Sequence, residues 1–366
     1  MNESLKCIGC GATLQSDDPQ KPGYVPQASL HKEDVICRRC FRLKNYNEVQ
    51  DVGMESEDFL KLLNGLADKA GIVVNLVDVF DFEGSFIHAI KRIVGNKKII
   101  LVGNKIDLLP KQINQRRVTE WLRRLAKSYG LYPEDVCLIS AHKGIGIERL
   151  IETIEKYREN QDVYIVGTTN VGKSTLINKL IEQTVGEKNV VTTSRIPGTT
   201  LDMIDIPIDD THYMFDTPGI IQAHQMTHYV STKALTTIMP KKEIKQRVYQ
   251  LNEAQSLFIG GLARVDYLKG GKRPLVCYFS NELNIHRTKL EKADDLWKKQ
   301  IGVLLTPPSP DDPFDFEQLK TVHLSTGNEK KDIMISGLGF VTVEAGAELN
   351  IIVPQKVDVT LRPSIM

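Results

Sequence analysis

Long apolar runs are missing from this chain. No stretch of its 366 residues reaches the ~18 consecutive apolar side chains that a membrane-spanning helix needs. The first ten residues, MNESLKCIGC, lack a basic segment followed by an apolar one, so no secretory leader is read there, and no Arg-rich transit pattern either. The expected address is the cytoplasm. Charge of one sign is not in excess: 47 Lys and Arg stand against 46 Asp and Glu, a net of +1. No internal repeat is present. Cysteine is scarce, six in all, and in a reducing compartment these are thiols or metal ligands rather than disulfides.

What is there is ordinary globular material. Hydrophobic residues make up 41% and charged residues 25%, which excludes wholesale disorder, collagen-like repeats and coiled coil. The length exceeds one typical domain and predicts two or three. Residues 1–50 are rich in Gly and Pro, read as loop, and need a staple to fold. Residues 51–224 alternate apolar runs of strand length (Ile72–Val77, Ile99–Val102, Val136–Ile139, Val163–Val166) with helical patterns near 85–94, 112–128, 147–157 and 174–182. That alternation predicts βαβ units and a parallel sheet, an α/β domain. From 225 to 366 the texture predicts a β-rich domain. It starts with a partly helical 227–258, followed by strands at Leu275–Phe279, Gly302–Leu305, Ile333–Ile335, Phe340–Val343, Leu349–Val353 and Val357–Leu361. Charge is uneven here: residues 225–300 hold 14 Lys and Arg against 7 Asp and Glu. That excess suits a polyanion partner and equally a solvated basic face.

Gly167-Thr168-Thr169-Asn170-Val171-Gly172-Lys173-Ser174 fits GxxxxGK[ST], between a strand-like run and a helical one that starts with Ser174 and Thr175. This is the context a phosphate-binding loop requires. Glycines let successive N–H groups point at phosphate oxygens, and the helix N-terminus adds positive potential. Lys173 is expected to reach the β- and γ-phosphates, and the Ser174 hydroxyl to ligate Mg²⁺. Asp216-Thr217-Pro218-Gly219 fits DxxG, with Asp216 in the Mg²⁺ shell and the Gly219 N–H at the γ-phosphate. Between them, Thr200 in Pro197–Asp202 is expected to complete the metal coordination when GTP is bound.

Asn104-Lys105-Ile106-Asp107 follows an apolar run and fits NKxD. Asp107 is expected to accept two hydrogen bonds from guanine N1–H and N2–H₂, a donor pair adenine lacks. Lys105 lays its stem over the base, and Asn104 ties its loop to the phosphate loop. Ser140-Ala141-His142-Lys143-Gly144 resembles the SAxKG turn, where the Ala141 N–H is expected to recognise guanine O6. The base motifs therefore precede the phosphate motifs, the reverse of the usual order, which reads as a circularly permuted GTPase domain. In that order the C-terminal domain follows directly on Gly219, so nucleotide state is expected to reach it.

Cys7-x₂-Cys10 and Cys37-x₂-Cys40 form two knuckles, suited to a tetrahedral structural Zn²⁺; a redox role is the competing reading. Arg38, Arg39, Arg42 and Lys44 make the module's end basic, consistent with RNA contact or with solubility alone. Cys137 and Cys277 lie in apolar runs and are expected in cores.

Cys7, Cys10, Cys37 and Cys40, then Asn104–Asp107, Gly167–Ser174 and Asp216–Gly219, in that order, resemble the YqeH family of circularly permuted GTPases, over essentially the whole chain. The resemblance implies a GTP-binding and GTP-hydrolysing switch in ribosome biogenesis, acting on the small (30S) subunit, with rRNA contacts through its flanking domains. It also implies a C-terminal domain similar to the trp RNA-binding attenuation protein. A regulatory GTPase that recruits a protein partner through its zinc and C-terminal modules is the alternative. The position after DxxG, where many GTPases carry a water-orienting Gln, is Ile220, so slow intrinsic hydrolysis is expected. Asn170 matches the position that helps bind K⁺ in potassium-activated relatives, which implies K⁺ as an activator alongside GTP, Mg²⁺ and Zn²⁺.

Overall fold

The computed structural model of the chain describes residues 5–8, 10, 12–30, 35–46, 53–54, 65–66, 69–185, 204–309, 312 and 318–366. Two compact units are formed, one from residues 1–106 and 119–222, the other from 107–118 and 223–366.

The first unit is built on a six-stranded sheet. Its strands are β2 (Ile72–Asp78), β3 (Ile99–Asn104), β4 (Asp135–Leu138), β5 (Val163–Gly167), β6 (Ile204–Pro207) and β7 (Tyr213–Asp216), in the order β4-β3-β2-β5-β7-β6. All neighbours are parallel except β6 and β7. Strands β2, β3 and β5 are buried at every position. That is why they read as unbroken apolar runs rather than as alternation. Helices Ile147–Arg158 and Lys173–Val185 follow β4 and β5. The helix expected near 85–94 is two short ones, Phe82–Ser85 and Ile90–Val94. A two-residue parallel ladder joins β1 (Gly53–Met54) to β8 (Gly219–Ile220).

The N-terminal segment packs onto this sheet. Val25, Val35 and all four module cysteines share one buried cluster with Ile165, Leu176 and Met214. It is not loop throughout: Arg38–Tyr46 is an α-helix that starts inside the second knuckle.

The second unit is an antiparallel β structure with two five-stranded sheets. One runs β13 (Ile285–Lys289), β10 (Gln255–Ile259), β11 (Ala263–Lys269), β17 (Glu348–Pro354), β14 (Leu319–Ser325). The other runs β18 (Val359–Pro363), β15 (Lys331–Ile335), β16 (Gly339–Val343), β12 (Arg273–Phe279), β9 (Arg247–Leu251). Leu257, Val265, Cys277, Phe279, Ile333, Val341 and Ile351 belong to one buried core between inward-facing positions. Burial pushes the Cys277 thiol up to about 12, so it behaves as a core hydrophobe. The helix Ala293–Gln300 adds Trp297 to a satellite cluster with Phe258 and Ile352.

Two expectations for this half are corrected and one is narrowed. The partly helical 227–258 holds a 3₁₀ turn, Met226–Tyr229, and the helix Thr232–Ile238. The latter starts where the Ser231 hydroxyl accepts from Ala234 N–H and stops ahead of Pro240; beyond it the chain forms β9 and β10. Gly302–Leu305 is a turn, not a strand: Val303 is 76% and Leu304 46% exposed, and of the run's apolar side chains Leu305 alone is buried. The last strand sits two residues later than expected, at Val359–Pro363.

Candidate nucleotide site and cysteine cluster

Strand β5 ends at Gly167, and the helix Lys173–Val185 begins six residues later. The loop between them turns through Asn170 at φ 63° and Gly172 at φ 87°. Asn is among the few non-glycine residues that adopt that region readily. Gly172 has a second constraint: a Cβ there would lie 2.5 Å from Asn104 Nδ2. Lys173 and Ser174 are buried, whereas Thr175 is exposed. The hydroxyls of Thr168 and Thr169 are buried without a hydrogen-bond partner among the described residues, as a loop shaped for an oxygen-rich ligand would have them.

DxxG lies beside this loop. Asp216 ends β7, next to β5 in the sheet. Thr217 Oγ1 donates to the Ile165 carbonyl at 2.8 Å, and Thr169 N–H donates to the Ile220 carbonyl at 2.9 Å. A Cβ on Gly219 would meet Thr169 Cα and N at 3.2 Å, so the close approach of the two loops favours glycine.

Lys173 Nζ lies 2.7 Å from Asp216 Oδ1. The other carboxylate oxygen, Oδ2, takes a hydrogen bond from Arg39 of the cysteine module, which also donates to the Asp216 carbonyl at 3.0 Å. Burial pushes the Asp216 carboxyl up, but the Arg39 guanidinium and the Lys173 ammonium outweigh it and hold it below the usual carboxylate range. Arg39 was read from sequence as part of an exposed basic end. It is 4% exposed and faces Asp216 instead, because the carboxylate repays the loss of its water.

The base motifs sit at the same sheet ends. Asn104 closes β3; its Nδ2 donates to the Val171 carbonyl at 2.8 Å and its Oδ1 accepts from Ala141 N–H at 2.9 Å. One side chain thus joins the phosphate loop to the Ser140–Lys143 turn, where Lys143 N–H bonds Ser140 Oγ at 3.1 Å. Lys105 has φ 67°, and its Nζ lies 2.7 Å from Asp78 Oδ2. Asp107 follows in the 3₁₀ turn Ile106–Leu108. Thr200 lies outside the described residues.

Sequence reading missed Asp78 and Arg39. Asp78 had a usable signal: it ends a parallel strand, where α/β sheets bind their ligands. Arg39 had none, since its partner is 177 positions away.

The four cysteines are buried, and their sulfurs all lie within 4.8 Å of one another, so they could hold one metal ion. Cys10 and Cys37 sulfurs are 3.7 Å apart, close to the ~3.8 Å edge that Zn–S bonds of about 2.3 Å give a tetrahedron. Cys37 N–H donates to Cys7 Sγ at 3.2 Å, the backbone support a thiolate needs. Hydrogen bonds from Cys10, Cys37 and Cys40 hold the Cys7 thiol down. The donor set fits Zn²⁺.

Comparison with known proteins agrees with this geometry. A family described as "50S ribosome-binding GTPase" matches residues 162–258, and one described as "YqeH-like, C-terminal" matches residues 272–365. "Uncharacterized protein YqeH" of Bacillus subtilis (strain 168) is 52% identical over 365 residues, 100% of both chains. "NO-associated protein 1, chloroplastic/mitochondrial" of Arabidopsis thaliana is 30% identical, with 98% of this chain aligned to 76% of that one. "GTPase Der" of Clostridium novyi (strain NT) is 28% identical over 53% of this chain and 47% of its own. Full-length identity at half of all positions, together with permuted motifs assembled around one sheet, establishes the chain as a GTP-hydrolysing enzyme that belongs to the YqeH family.

Proposed function

We propose that this GTPase is a switch in ribosome assembly, that its target is the small (30S) subunit, and that it contacts RNA through residues 1–50 and 225–366, with 51–224 as the GTPase domain. The observation that carries the switch is the Asn104 bridge, which makes base recognition and the phosphate loop one hydrogen-bonded piece. Support for an RNA partner comes from the basic excess of 225–300, whose binding would be steeply salt-dependent.

In this reading Lys173 leaves Asp216 for the β- and γ-phosphates, and the backbone of Gly167–Thr175 cradles them. Ser174, Thr200 and, through water, Asp216 hold Mg²⁺, which supplies charge neutralisation at the transferring phosphoryl group. The Gly219 N–H reads the terminal phosphate. Asp107 takes the guanine N1–H and N2–H₂, Lys105 covers the base with its head held by Asp78, and the Ala141 N–H, which here bonds Asn104 Oδ1, turns to O6. Ile220 cannot orient a water, so hydrolysis is slow unaided, and K⁺ at Asn170 supplies part of the missing charge. Cys7, Cys10, Cys37 and Cys40 hold a structural Zn²⁺. The cytoplasm is the proposed compartment.

The test is gradient sedimentation of the purified chain with ribosomal subunits, in a non-hydrolysable GTP analogue and in GDP. Co-migration with 30S only in the GTP state supports the proposal. Co-migration with 50S moves the target to the large subunit, as the matched family's description would have it. No association in either state favours recruitment of a protein partner.

A further inference from the structure

The second knuckle reads Cys37-Arg38-Arg39-Cys40, and its two arginines differ in environment. Arg38 is exposed; Arg39 is buried. Arg39 stands between two metal-ligand positions and reaches Asp216 with two hydrogen bonds, one to the carboxylate and one to the main-chain carbonyl. The two oxygens of Asp216 are divided between two cations: Oδ1 belongs to Lys173, Oδ2 to Arg39.

This division has a consequence for nucleotide binding. Lys173 is the cation the phosphates need. Once it turns to them, Oδ1 is released toward the magnesium shell, and Arg39 is the cation that still fixes the carboxylate. A guanidinium suits that task, because one of its nitrogens, Nη2, carries two N–H groups and meets both acceptors. On its other side Arg39 is tied to the cysteine cluster by the shortest possible tether, one bond from Cys40. A four-thiolate zinc centre is a net dianion, so the same guanidinium is attracted from both ends.

We propose that Arg39 is a positioning residue of the magnesium–phosphate site, and that through it nucleotide binding and metal retention by the four-cysteine module are coupled. The proposal rests on the reading of Asp216 as the magnesium carboxylate and of the cysteines as a zinc site. Coupling of this kind is reciprocal: whatever factor the bound nucleotide adds to zinc retention, zinc adds to nucleotide affinity.

The experiment uses the full chain as wild type, Arg39→Ala, Arg39→Lys and, as a control for the exposed neighbour, Arg38→Ala. Zinc per chain is measured by mass spectrometry of the metal. Fluorescent GDP is titrated in metal-depleted buffer with and without Mg²⁺. Zinc loss to a colorimetric chelator is timed with and without a magnesium-bound GTP analogue. In the wild type and Arg38→Ala, Mg²⁺ is expected to tighten GDP binding, and the analogue to slow zinc loss, each by about tenfold. Arg39→Ala is expected to keep one zinc while losing both effects, and Arg39→Lys to recover part of the magnesium effect. Arg39→Ala or Arg39→Lys that retains zinc and shows both effects at wild-type size overturns the proposal. A wild type that binds no zinc, or gains nothing from Mg²⁺, overturns the site reading beneath it and the proposal with it.

Discussion

Asn104 donates to the Val171 carbonyl at 2.8 Å while accepting from Ala141 at 2.9 Å, both bonds buried. A residue of the base motif therefore holds the phosphate loop in shape. Losing a buried hydrogen-bonding partner costs about 1–3 kcal/mol. Asn104→Ala is expected to weaken GDP and GTP binding by about tenfold to a hundredfold without displacing zinc. Titration with fluorescent nucleotides checks this; unchanged affinity would detach Asn104 from the loop's function.

Base choice is assigned to Asp107. Asp107→Asn replaces an acceptor pair with an amide that donates where guanine also donates. GTP affinity is expected to fall by at least ~100-fold, and xanthosine triphosphate, which carries an oxygen at C2, to bind better than GTP. Competition assays with the two nucleotides measure the switch. A variant that still prefers GTP would contradict the assignment.

Asn170 has two possible reasons to be there. Its φ of 63° suits Asn on backbone grounds alone, and the same residue is the proposed K⁺ ligand. Asn170→Gly separates them, since glycine keeps the φ and removes the side chain. The wild type is expected to hydrolyse GTP faster in KCl than in NaCl, and Asn170→Gly to lose that difference while still binding nucleotide. Equal wild-type rates in the two salts would refute a potassium role.

Acid should act on the nucleotide-free chain through Asp216. Its folded pKa lies below the unfolded value, so the unfolded state binds more protons as pH falls past about 3.9. The stability it contributes is complete above that pH and is lost as the pH falls toward the depressed pKa. Asp216→Asn is expected to flatten that part of the acid melting profile. At neutral pH it leaves Lys173 and Arg39 facing a neutral group, a loss of about 3–5 kcal/mol for a broken buried pair. Thermal melts from about pH 1.5 to pH 7 test both statements, and an acid slope identical to wild type would place the titration elsewhere.

The GTPase half was legible because its chemistry and its strands are both local signals. Buried parallel strands such as Ile99–Asn104 are uniformly apolar, and each motif sits at the end of one. The C-terminal half hid its strands. β14 alternates half-buried with exposed positions along LKTVHLS, and β13 reads IHRTK, so neither carries an apolar run to recognise. Their pairing partners, β17 and β10, supply what the segments lack. Conversely, Val303-Leu304 looked like a strand and is an exposed turn, because hydrophobicity alone does not say which side of a surface a side chain takes. The Arg39–Asp216 pair depends on tertiary contact and left no local trace, whereas Asp78 could be suspected from its place at a strand end.

The ladder of Gly53–Met54 with Gly219–Ile220 puts the chain's way into the GTPase fold beside its way out. Adjacent strands run about 4.8 Å apart, so the permuted connectivity costs the fold no long reach. It also sets Gly53, which follows the cysteine module in the chain, directly against Gly219, the glycine proposed to sense the terminal phosphate.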